Sequence, residues 1–407
     1  MRKLAIILLA LCCMVALAAC TQDPPVTAPS DDQTKPTTAP TESSNVAHIY
    51  IGNICSICGN LKPSEGLELT KTTIGYIVSG IGLCKDSHII IPDMYEGQPV
   101  IAIGDNAFSN CEDITQISIP NSVTKIGAMS FKGCTSLVSI NIGEGITSIE
   151  RAAFYGCSKL ININIPDSVT IIGNTAFAYC TSLEKIEIPN TVTSIGGSVF
   201  HMCSSLTQVT LSANITSISD WAFKGCSNLS SIDIPDGVTI IDVAAFRDCT
   251  SLINITLPES LTTIGGGAFD SCRSLANISI PNAVTDIGSG AFRGCTSLTS
   301  IIIPPEVPGI GLDEFSGCTS LISVSLPNYC RYIDQFAFSN CTSLTSVVIP
   351  ASVKKIGFGV FGNCTGLYKI IFEGTMEQWN AIENMSSFDN VPASEVICID
   401  GVVPLKH

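Results

Sequence analysis

Cysteine recurs every 23 residues along most of this chain, and that period limits the possible folds more than any other feature. It stands at Cys111, Cys134, Cys157, Cys180, Cys203, Cys226, Cys249, Cys272, Cys295, Cys318, Cys341 and Cys364 without a slip. A phenylalanine comes three residues before each one, from Phe108 to Phe361. Leucine follows three residues after, with Ile114 in the first copy, and aliphatic slots follow at six, eight, twelve and fifteen after. Residues 341–363, CTSLTSVVIPASVKKIGFGVFGN, represent the unit. A fixed period of this length denotes one small structural unit stacked many times.

The spacing inside the unit says how it is built. The stretch L-x-x-I-x-I ends in a period of two, so alternate side chains share one face of a strand. A proline after it closes the strand, having no N–H to give to a ladder. The piece V-T-x-I-G reads as a second short strand with glycine supplying a turn. A-F-x-x-C then makes a tight return, 3₁₀-like or briefly helical. One such coil cannot bury its own Phe, Leu and Ile, whereas stacked coils share one interior with contacts only to neighbours. Composition agrees: 45% of residues are hydrophobic and only 14% charged, against about a quarter charged in ordinary domains. A dozen rungs ~4.8 Å apart give a rod of order 55–60 Å.

The unit resembles the BspA-type leucine-rich repeat, a 23-residue class in which Cys or Asn fills one buried slot. The resemblance covers roughly Cys84 to Phe372, about seventy per cent of the chain. It implies a leucine-rich-repeat solenoid, mainly parallel β with short 3₁₀ or helical returns, forming a curved rod with N- and C-terminal caps. GYIVSGIGLCKDSHIIIPDMYEGQPVIAIGDNAF is similar to the usual opening rung, and FEGTMEQWNAIE followed by VICIDGV to the closing cap. Within the opening rung Cys84 is a thirteenth column member, displaced by about five extra residues near Met94 to Gln98. Trp379 falls on the Ile column at the other end, in a stretch expected to be helical.

Residues 1–19 read as an export signal. Arg2 and Lys3 precede the apolar run Leu4 to Leu17, and small residues precede Cys20. Leu17, Ala18, Ala19 and Cys20 resemble the lipobox of bacterial lipoproteins, which implies lipid attachment at Cys20 and a membrane tether. Residues 20–45 hold five prolines and almost no aliphatics, so they read as a spacer reaching roughly 75 Å at ~3.1 Å per residue. Residues 46–83 form a small Cys-x2-Cys segment and cap, 84–372 the solenoid, and 373–407 the closing cap. After the leader no run matches the ~20 apolar residues of a membrane span.

Twenty cysteines in an exported chain raise the question of disulfides. Stacked coils hold neighbouring Cβ atoms ~4.8 Å apart, not the ~3.8 Å a disulfide prefers, so free buried thiols are expected. His48, Cys55 and Cys58 are the sharpest metal signal, since two thiolates on one turn chelate zinc, but a fourth ligand is missing. Vestigial packing or a disulfide is the bland alternative, and no cofactor is assigned. His201 beside Cys203 has the elements of a nucleophile pair, yet Cys203 belongs to the column and packing accounts for it. Gly265, Gly266 and Gly267 fill a turn slot and lack the lysine of a phosphate loop. No assembled catalytic set is found, and the chain reads as non-catalytic with no small-molecule substrate.

The candidate ligand face is the outward side of the first strand. Five residues after each Cys it carries Gln, Ser, Asn or Lys. Seven after, it carries among others Asn141, Asn164, Glu187, Asp233 and Ile302. Asn254 and Asn277 complete the five-after set we single out. The repeat is least regular between Ile302 and Tyr332. There Pro304, Pro305 and Pro308 crowd one turn, Cys330 replaces Val, and Tyr329, Arg331 and Tyr332 take normally small positions. Tyr and Arg are frequent binding anchors, although drift in a tolerant repeat explains the same residues. A formal charge of −15 disfavours nucleic acid and anionic lipid surfaces. The family resemblance implies a surface protein that contacts host matrix proteins or other cells. An extracellular protein or glycan is therefore the expected partner. Glycan capture for nutrient uptake, or an envelope role with no dedicated ligand, are the alternatives.

Overall fold

The computed structural model describes residues 50–51, 54–55, 62–384, 388 and 390–405. It is a parallel β-solenoid of about 14 turns with almost no helix. Most coils contribute two short strands that pair with the equivalent strand one period away, the coils of Asn164 and Asn277 lacking the first. In the first sheet Ile117 of Gln116–Ser118 pairs with Ile140 of Ser139–Asn141. In the second, Ile126 of Lys125–Ile126 pairs with Ile149 of Ser148–Ile149. A slip of one residue would turn every apolar side chain outward, so the fixed 23-residue period also fixes the register.

The return segment has a hydrogen-bond pattern of its own. In the coil ending at Cys134, the N–H groups of Ser130, Lys132 and Cys134 donate backward to Gly127, Met129 and Phe131, which are i→i+3 turns of the 3₁₀ kind. The intervening N–H groups of Met129, Phe131 and Gly133 donate forward to Arg151, Ala153 and Tyr155 of the next coil at 2.7–2.9 Å. Two residues per coil take left-handed backbone to allow this alternation. They lie five and one before the cysteine, as at Met129 (φ 54) and Gly133 (φ 72), and every coil from Asn106 to Asn363 repeats them. The return is thus a third ladder made of turns, and it does not propagate into helix.

The glycine after the second strand acts differently from expectation. Gly173 has no positive φ. A Cβ there would lie 2.6 Å from Arg151 N, so the glycine permits close approach of neighbouring backbones.

Inside, Phe108 through Phe361 form one unbroken column of twelve buried rings. Successive centroids are 5.3–5.8 Å apart and the planes lie within 23° of parallel. Phe388 extends the column at 6.4 Å from Phe361. Leu, Ile and Val files fill the remaining interior.

The ends depart from the repeat. The extra residues of the opening rung make a hairpin, Met94–Tyr95 against Gln98–Ile103. Glu68–Lys71 runs antiparallel to Tyr76–Gly80, which joins the second sheet. At the far end Thr375 caps a helix over Met376–Asn380 through a capping box. This helix displaces the register. The strand partner of Ile356 is Asn384, five residues later than the period places Trp379. Trp379 therefore leaves the Ile column and packs buried, edge-on to Phe372 at 5.4 Å. Glu395–Cys398 then pairs parallel with Lys369–Phe372, and Gly401–Pro404 folds back antiparallel on it. Among the described residues no helix is long and apolar enough to cross a membrane.

Candidate functional site

The first-sheet face comes out as an exposed lattice. Asn141, Asn164, Glu187, Asp233, Asn254, Asn277 and Ile302 are all exposed, while the residue between each pair of rows is buried or nearly so. Asn141, Glu187 and Asp233 sit in register with Ser118, Thr210 and Thr256 of adjoining coils, and Asn254 with Ser231. Asn164 and Asn277 hold equivalent slots in coils where the strand ladder is interrupted. Toward the C-terminal end the seven-after row turns apolar: Ile302 is 72% exposed, and Val348 is exposed with it.

The irregular stretch does not form one patch with Ile302. Tyr332 lies in Tyr332–Ile333 of the second sheet, between Gly309 and Lys355. Its ring covers Gly309 so closely that a Cβ there would meet ring carbons at 2.7 Å. That contact uses Tyr332 for packing. Tyr329, in the connecting turn, is 76% exposed, and Arg331 is exposed beside it. Beneath this stretch the sequence reading missed Glu314, which fills a slot that is alanine in most coils. Glu314 is fully buried; one carboxyl oxygen accepts from Gly311 N at 2.6 Å and the other has no hydrogen-bond partner. Burial pushes its pKa up to about 8, and nearby Asp286 adds to the rise. The visible signal was a charged residue in an alanine column.

The cysteine column carries no catalytic pair. Each Sγ from Cys134 to Cys364 donates to the carbonyl of the preceding coil's phenylalanine at 3.0–3.2 Å, as Cys203 does to Phe177. The same carbonyl already accepts the N–H of its own coil's cysteine, as Phe177 O does from Cys180 N at 3.1 Å, so the thiol adds a second bond, and cysteine suits the slot as small, apolar and weakly donating. His201 instead places Nδ1 3.1 Å from the Lys224 carbonyl. Burial pushes the Cys203 thiol up to about 12 and lowers His201. All fifteen cysteines whose side chains are described are free. His48 and Cys58 lie outside the described residues, as do Cys20 and the side chain of Cys55. Among the described residues no group of three or more His, Cys, Asp and Glu could hold a metal ion.

The family model for the BspA type leucine rich repeat region matches in overlapping blocks over residues 101–230, 170–298 and 266–391. The chain belongs to the BspA-type leucine-rich-repeat family. Solved structures agree with this. A leucine-rich repeat protein from Bacteroides ovatus is 29% identical, with a TM-score of 0.68 over 82% of this chain and 93% of that one. A leucine rich cell surface protein from Faecalibacterium prausnitzii is 32% identical, with a TM-score of 0.56 over 79% of this chain and 97% of that one. A third, from Eubacterium ventriosum, is 24% identical with a TM-score of 0.53 over 81% and 94%, and shows the fold alone. No protein of curated function matches. The matching family is a repeat region, and no enzyme family is indicated.

The thiols of this BspA-type protein give a direct check on its interior. Only Cys111 of the column is part-exposed; burial raises the thiol pKa of every column member after it, to about 12 at Cys134 and Cys364 and well above the ordinary value at Cys157. At pH 8 almost no thiolate exists there to react. With reduced native protein, an aromatic disulfide reagent should modify Cys111 and leave Cys134 to Cys364 unmodified until denaturant is added. Mass mapping showing native modification at Cys226 would contradict this interior.

Proposed function

We propose that this BspA-type chain is a lipid-anchored bacterial surface protein. In this reading it binds an extracellular protein through the outer face of the first sheet and catalyses nothing. The observation that carries the reading is the face itself. Its rows are held in register by paired strands, so the backbone is ordered before binding and only side chains remain to be fixed. Their mostly uncharged polar side chains, broken by Glu187 and Asp233, give way to the exposed apolar group around Ile302 and Val348. An exposed apolar patch bordered by polar groups is the usual mark of a protein contact. Similarity to a leucine rich cell surface protein supports the location, and the Cys20 motif with its proline-rich spacer supports the tether.

The test uses cells carrying the full chain. Cys20→Ala should move the protein from the membrane fraction to the medium. On an array of immobilised extracellular-matrix proteins, Ile302→Lys with Val348→Lys should lower cell retention by about tenfold or more, ~1.4 kcal/mol or more, at unchanged thermal stability. Equal retention of cells lacking the protein would discard the reading.

A further inference from the structure

Away from the strand face, the return segments carry a second built surface. Four aromatic side chains from successive coils meet along it: Tyr155, Tyr179, His201 and Trp221, with centroids 5.2, 5.2 and 5.9 Å apart, the middle pair edge to face and the outer pairs tilted. Lysines lie over both ends of the ribbon, Lys132 over Tyr155 at 5.6 Å and Lys224 over Trp221 at 4.0 Å. Tyr179 and Trp221 are exposed.

The ribbon leads into a cleft of about 290 Å³, with Trp221 in its wall. Ala244, Gly267 and Gly290 line it in consecutive coils, at the left-handed position where other coils carry Trp221, Asp313 or Phe336. The missing side chains open the space. Arg247, Asp270 and Arg293 form the other side. Asp270 is 3% exposed and takes a two-point contact from Arg293, at 2.7 and 3.3 Å. Arg247 Nε is 3.3 Å from the same carboxylate, in an orientation that makes no hydrogen bond.

We propose that this cleft and ribbon bind a neutral, extended glycan chain, at a site separate from the strand face. Three features favour that occupant. The cleft lies at the small end of the range for ligand sites, which suits a sugar unit better than a folded partner. Charges within it nearly balance, because Arg247 and Arg293 face Asp248, Asp270 and Asp313. The pairing leaves guanidinium N–H groups to meet hydroxyls without net attraction for an ion. The rings recur at 5.2–5.9 Å, close to the length of one pyranose unit in an extended β-linked chain. An extended peptide presents same-side residues every ~6.6 Å, two rises of ~3.3 Å, and would fall out of step. Aromatic faces accept sugar C–H groups, with apolar contact and a polar rim in one place.

Isothermal titration of the full chain against cellohexaose, xylohexaose, mannohexaose and chitohexaose tests the proposal. At least one hexaose should bind, and its monosaccharide should bind about tenfold more weakly or worse. Trp221→Ala should weaken the hexaose by about tenfold or more. Gly267→Phe should do the same by filling the cleft. The substitution should keep the fold despite the strain of left-handed backbone, since a Cβ there meets only Asp270 Cβ at 3.7 Å and Phe336 already occupies the equivalent left-handed slot. Ile302→Lys should leave hexaose binding unchanged. No binding by any of these sugars, or hexaose binding unaltered in both cleft variants, would overturn the proposal.

Discussion

Phe246→Ala should cost ~3–5 kcal/mol of stability, the range for truncating a fully buried phenylalanine. Its ring is 0% exposed and stacks between Phe223 and Phe269 at 5.3 and 5.6 Å. Removal therefore leaves a void facing two neighbours, neither of which can move without breaking its own register. In a stack with only nearest-neighbour contacts, stability is a sum of coil terms and interface terms. Damage at one interface should therefore divide the cooperative unit. Guanidinium denaturation followed by circular dichroism is expected to show a lowered first transition and a second one, where the parent shows one. Phe108→Ala, which has a ring on one side only, should cost less. A single transition shifted by under ~1 kcal/mol in Phe246→Ala would mean that the column does not carry the interior.

Glu314→Gln should remove a pH dependence that the parent shows. The carboxyl titrates near 4.5 when unfolded and about 8 when folded. Between those values the folded chain holds a proton that the unfolded chain has lost, so stability falls as pH rises. Below pH 4.5 both states are protonated and the penalty vanishes; above about 8 it is complete. At ~1.4 kcal/mol per pH unit, the loss by pH 7 is of order 3 kcal/mol. Glutamine keeps the acceptor for Gly311 N–H and cannot ionise. The variant should match the parent at pH 4.5 and exceed it by a few kcal/mol at pH 8, read from denaturant midpoints across that window. Parallel pH profiles for the two proteins would show that Glu314 is not the titrating group.

How much could be read beforehand depended on which slots the repeat constrains. The Phe, Cys, Leu and Ile files face the interior, where packing admits few side chains, so their period alone gave the solenoid and both sheets. Cys84 and the insertion near Met94 to Gln98 were legible because the columns resumed on either side, whereas its folding into a hairpin was not marked by any column. The Trp379 slot was misplaced because a helix inserts residues that no column marks. The role of Gly173 was hidden because close approach and positive φ ask for the same residue. The cleft escaped notice for a deeper reason. Backbone bonds already fix the return segment, so its outward side chains are free to vary, and only folding shows that Trp221, Asp270 and the glycines converge. Of the expected ligand face, the rows through Asn141 and Asp233 came out as lattice. Tyr332 was drawn off to cover Gly309.

The two ends of the stack differ from its middle in chain direction. Every internal strand runs the same way as its neighbours, and a further coil from another molecule could in principle join either open rim. Both terminal hairpins reverse direction instead, Glu68–Lys71 at one rim and Gly401–Pro404 at the other. The companion sheet at each rim keeps the common direction, ending in His88–Ile90 at the first and Glu383–Asn384 at the second. A copy of the regular coil, with both strands running one way, would therefore have to pair parallel at one sheet and antiparallel at the other.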